Sequence, residues 1–110
     1  MAPDALSLNN VHAFYGDSHI LHGVSFSLAP GGVLAFTCWH NIFDNEWMLV
    51  PGAAVATVTG ALPPLPTPGE PGPFSLEDPA RVETVLSDAG FTAIDIAHQS
   101  EIVVVPESEL

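Results

Sequence analysis

Three histidines lie close together near the N-terminus, His12, His19 and His22, and the last two have the HxxH spacing that can hold zinc. Zinc takes three or four ligands in tetrahedral disposition. HxxH presents both rings to one side only on a helix, and this stretch reads as strand. The three are therefore expected to be solvent or turn histidines, and no metal site is expected. Cys38 and His40 stand two apart, which on a strand places both on one side. Such a pair can act as nucleophile and base. Cys38 sits in an apolar run with no acid in view to orient His40, so the expectation is a buried thiol. Asp44 and Glu46 follow, and paired carboxylates can do acid–base work. Their polar surroundings read instead as a solvated loop. Trp39, Phe43 and Trp47 flank these acids and are expected to pack a small core. No catalytic residue is assigned.

The elements that must position these residues can be read along the chain. Leu6 to Tyr15 has the branched and aromatic content of a strand, Gly16-Asp17-Ser18 is a turn cluster, and Ile20 to Leu28 is a second strand. Pro30-Gly31-Gly32 is a turn. Val33 to Trp39 is a nearly continuous apolar run, which suits a strand covered on both faces. Asn45 is placed to cap a helix through Trp47, Val50, Ala54 and Val58, although Pro51 and Gly52 lie inside it. Pro63 to Pro73 holds six of the eleven prolines and reads as an extended connector. The firmest helix runs from Asp78 to Ala89. Asp78 caps it, Pro79 takes the first helical position, Val82, Val85, Leu86 and Ala89 make its apolar stripe, and Gly90 stops it. Phe91 to Ala97 and Ile102 to Val105 read as further strands, and the acidic tail after Pro106 as frayed.

Composition narrows the functional classes. The chain has 110 residues, 47% of them hydrophobic, and 13 Asp+Glu against a single basic residue, Arg81, for a net charge of −12. A chain of this length is one small domain, 1–110, burying about 65% of the surface its unfolded form exposes. The charge opposes binding to nucleic acid or to anionic membranes, which requires clustered Lys and Arg. One cysteine excludes an internal disulfide framework. The start MAPDALSLNN lacks the basic and apolar regions of a secretory signal, and no stretch of 18 apolar residues is present. Cytoplasmic location is the expectation, with no direct membrane insertion.

The run LSLNNVHAFYGDSHILHGVSFSLAPGG, about residues 6–33, resembles the opening of a branched-chain amino acid ABC-transporter ATP-binding subunit. In that family two antiparallel strands precede the phosphate-binding loop. The aromatic before the first turn stacks on adenine, a role the resemblance gives to Tyr15. The chain departs from the family at Ala35-Phe36-Thr37-Cys38-Trp39, where phosphate-binding glycines, a lysine and a Mg²⁺-binding hydroxyl should stand. It has no lysine at all.

The runs PGGVLAFTCWHNIFDNEWMLVPGAA and PGPFSLEDPARVETVLSDAGFTAIDI, within about residues 30–96, resemble the C-terminal half of class I S-adenosylmethionine-dependent methyltransferases. The resemblance implies the fifth sheet strand with its active-site loop, then the last helix and sixth strand. Trp39, Phe43 and Trp47 would form the substrate-side wall. The family's Gly-rich first turn and its ribose-binding acid lie upstream of the matched part, and residues 1–32 do not supply them. No cofactor is therefore expected for the isolated chain, S-adenosylmethionine being the family's. The two resemblances meet at Pro30-Gly31-Gly32, as in a gene fusion, dividing the chain into segments 1–32 and 33–105.

The expected fold is α/β, a partial Rossmann-like mixed sheet of about five strands. The N-terminal hairpin and Ile102–Val105 would flank Val33–Trp39, with Phe91–Ala97 at the outer edge and helix 78–89 on one face. The expected function is a truncated methyltransferase-like protein, inactive alone. The alternatives are a fragment of an importer ATP-binding protein and a small acidic interaction module that self-associates through sheet edges.

Overall fold

The computed structural model describes residues 3–67 and 69–109. β1 (Leu6–Tyr15) and β2 (Ser18–Leu28) form an antiparallel hairpin closed by Gly16-Asp17. Leu6 faces Leu28, Leu8 faces Phe26 and Val11 faces Val24. The imperfect alternation of the sequence has a cause in the register. The pairing slips between Leu8 and Val11, between Val11 and His12, and between Ala13 and Phe14. Extra residues on one strand twist and kink the ribbon locally.

Two helices follow. α1 (Glu46–Thr59) is apolar on every side and contains Pro51. α2 (Pro79–Asp88) has its amide N–H groups met as the sequence predicts: the Asp78 carboxylate accepts from Ala80 N at 3.0 Å, and Pro79 stands at the first position. Its end is a Schellman motif, with Gly90 N–H donating to Ser87 C=O and Phe91 N–H to Leu86 C=O, both at 3.0 Å. Gly90 takes φ 97°, which a residue with a side chain rarely adopts. Short 3₁₀ turns occupy Ile42–Asp44 and Glu107–Glu109.

The five-stranded Rossmann-like sheet does not form. The described residues contain only the two-stranded sheet of β1 and β2. Val33–Trp39, Phe91–Ala97 and Ile102–Val105 form no strand and join no sheet; the Phe91 N–H closes the end of α2 on Leu86 C=O, and Ala93 takes φ 54°, outside strand conformation. The hairpin docks on neither helix. The reason is non-local. A doubly apolar strand needs paired neighbours on both edges and helices on both faces. This chain offers one short amphipathic helix and a hairpin whose edges stay open. The backbone groups of the unpaired segments are left to water.

Burial is correspondingly thin. Phe74, 2% exposed, and Val82 are the buried hydrophobic residues among those described. Ile102–Val105, expected to be doubly buried, is exposed, Ile102 by 91%. The α2 stripe buries Val82 and leaves Val85 half-exposed. The radius of gyration is 18.0 Å, where a compact chain of this length has about 13 Å. The accessible surface is 8962 Å², against roughly 5,800 Å² for a folded chain of this mass.

Candidate functional site

The residues with chemical capacity gather in the turn from Cys38 to Trp47, which leads into α1. Two asparagines build it. Asn41 Oδ1 accepts from the N–H groups of Phe43 at 2.9 Å and Asp44 at 3.2 Å, starting the 3₁₀ turn. Asn45 is buried and spends its whole amide on the turn. Its Nδ2 donates to the carbonyls of His40 at 3.0 Å and Asn41 at 2.7 Å, and its Oδ1 accepts from Trp47 Nε1 at 3.1 Å. Asn45 stands at the N-cap of α1, as the sequence reading has it, yet its side chain caps nothing there. It faces back into the turn instead.

Two of the three aromatic residues are thereby brought together. The Trp39 and Trp47 rings lie 5.0 Å apart, each 49% exposed, and Phe43 is more exposed still. They form a surface platform and not the small core expected of them. The sequence reading found no acid to orient His40. The structure supplies Asp44, whose Oδ2 lies 2.5 Å from His40 Nδ1. Asn41 Nδ2 donates to the same oxygen at 3.0 Å. The i, i+4 spacing of His40 and Asp44 was the available signal, but it required a helical turn there, where the sequence reads as loop. The other face of the His40 ring stacks on His98 at 4.4 Å, which brings the segment after α2 beside this turn.

Cys38 is exposed, not buried, and its thiol donates to Leu76 C=O at 3.5 Å. It makes no hydrogen bond to His40, so the two do not form a nucleophile–base pair. Tyr15 is half-exposed at the end of β1, paired with Ser18.

The three hairpin histidines, expected from sequence to be solvent or turn residues, converge on one face. His12 Nδ1 lies 3.0 Å from His19 Nε2, and the His19 and His22 ring centroids are 3.8 Å apart. Among the described residues no group of three or more His, Cys, Asp and Glu side chains is arranged to enclose a metal ion. Among the described residues no helix is long and apolar enough to cross a membrane. No protein-family model, no curated protein and no solved structure matches this chain.

Proposed function

We propose that the protein is a small acidic interaction module whose Trp39–Trp47 platform receives a partner chain bearing Lys or Arg on an apolar stripe. The observation that carries the reading is the half-exposed tryptophan pair on a turn that also carries Asp44 and Glu46, in a chain of net charge −12. A cationic head over a Trp face gains cation–π attraction, and the neighbouring carboxylates add charge-assisted hydrogen bonds. α1 supports the same reading. A helix apolar on every side is normally buried, and this one touches no other element besides the 3₁₀ turn before it. The same charge disfavours a second copy as the occupant.

The test is titration with an amphipathic Lys/Leu peptide, followed by tryptophan fluorescence at several salt concentrations. Saturable quenching is expected, with affinity about tenfold lower in Trp47→Ala at unchanged net charge. Equal binding by Trp47→Ala, or binding that Glu107→Gln and Glu109→Gln in the tail weaken as much, would assign the effect to diffuse charge and overturn the reading.

A second reading draws on the same contact. The resemblance to methyltransferases gives Trp39, Phe43 and Trp47 to a substrate-side wall, and two of these rings meet across the turn; the chain would then be a truncated member of that family, inactive alone. Calorimetric titration with S-adenosylmethionine is expected to give no saturable heat. The Gly-rich turn and ribose-binding acid have no counterpart in residues 1–32. Micromolar binding would contradict this.

A further inference from the structure

The hairpin face carrying His12, His19 and His22 is the other place where the chain gathers chemistry. Three local distortions bring its side chains together. Ile20 is the extra residue where the pairing passes from Ala13–Leu21 to Phe14–His19. In a regular strand His19 and His22, three apart, would point to opposite faces. The bulge turns His19 to the face of His22 and stacks it on Phe14 at 4.2 Å. Asn10 adopts φ 49°, in the left-handed region, and sends its Oδ1 to His12 Nε2 at 3.2 Å. Gly23 makes room for it, since a Cβ at this position would stand 2.8 Å from Asn10 Oδ1. Bulges and left-handed non-glycine residues are recurrent devices for aiming side chains at functional sites.

Asn10 Oδ1 and the His19 carbonyl can only accept, which orients the His12 and His22 rings. His12 Nε2–H donates to Asn10, which leaves Nδ1 as a lone pair facing His19 Nε2 at 3.0 Å. His22 Nε2–H donates to His19 C=O at 3.0 Å and so holds the bulged backbone. A metal-ligating histidine commonly donates its other ring N–H to an oxygen, as His12 does here. A divalent ion bound by two imidazoles at about 2.0–2.1 Å holds their nitrogens roughly 2.9–3.4 Å apart, for bond angles from square to tetrahedral. We infer that His12 Nδ1 and His19 Nε2 form a two-nitrogen site for a divalent transition ion such as Ni(II) or Cu(II). Asn10 and His22 position the two rings, and water completes the coordination shell. Imidazole donors select these ions over Mg(II) and Ca(II), which take oxygen ligands. On binding, the proton between the two nitrogens moves to His19 Nδ1, and the ion sits to one side of the N···N line, within about 2.1 Å of both.

Ni(II) chloride alone, titrated into the full-length chain without a tag, tests the site by calorimetry and by imidazole NMR of the wild type. One saturable site is expected, with paramagnetic broadening strongest at His12 and His19 and unaffected by excess Mg(II). His12→Ala and His19→Ala should each weaken binding at least about tenfold, a loss already caused elsewhere by removing an outer partner. His98→Ala should leave it unchanged. The wild-type broadening pattern decides the matter even if a variant distorts the hairpin. Broadening centred on His40 and His98, or no saturable binding at millimolar Ni(II), would overturn the inference.

Discussion

Asn45 is the residue on which the platform depends. It is the buried polar residue among those described, and its amide makes three hydrogen bonds that tie His40, Asn41 and Trp47 into one turn. Each such bond is worth about 1 kcal/mol net, and the carbonyls it leaves behind lose their donor. Asn45→Ala should therefore destabilise the turn by about 2–3 kcal/mol. The Trp39–Trp47 contact should open, seen as a red shift of tryptophan emission and loss of helical signal from α1. An emission spectrum identical to wild type would show that Asn45 does not hold the platform. The sequence made Asn45 visible as a helix cap, because Asn before an apolar run is a cap signal. It could not show that the amide turns the other way. That choice depends on where the carbonyls of His40 and Asn41 lie, which is set by the 3₁₀ turn.

At the scale of elements, α2 is the part most completely written in local sequence. Asp78, Pro79 and Gly90 each act within one turn of their own position, so their roles need no distant partner. Gly90→Ala forces a side chain into φ 97° and should cost about 1 kcal/mol. Asp78→Ala should cost about as much through the lost cap. Both are expected to lower the thermal midpoint of helical circular dichroism, and a midpoint equal to wild type in Gly90→Ala would mean that the Schellman turn is not formed in solution. The hairpin was legible for the same reason, with two strand-like runs joined by a short Gly-Asp turn. Its histidine face was not. Convergence of His12, His19 and His22 follows from a bulge at Ile20, and no residue type at that position signals a bulge. A regular strand drawn through the same letters places His19 on the wrong side.

Across the whole molecule, exposed apolar surface and uniform negative charge oppose each other. Val33, Val58, Leu62 and Ile102–Val105 are largely exposed, and both hairpin edges are unpaired. Open edges and apolar runs favour association, while a net charge of −12 on each chain resists it. The balance should shift with ionic strength, because the Debye length falls from about 30 Å at 0.01 M to about 3 Å at 1 M salt. Sedimentation velocity is expected to show monomer at low salt and larger species at high salt. Salt-independent monomer would mean that the exposed runs are not adhesive. The sequence by itself determined the hairpin, α2 with both its caps and the acidic charge. All of these arise from contacts within a few residues or from composition alone. Only the tertiary structure decided that Val33–Trp39, Phe91–Ala97 and Ile102–Val105 join no sheet, that the tryptophans lie at the surface, and that His40 stacks on His98. A strand's apolar content states what it could bury. Whether it does depends on partners distant in the chain, and loop closure must be offset by contacts that this small chain does not possess.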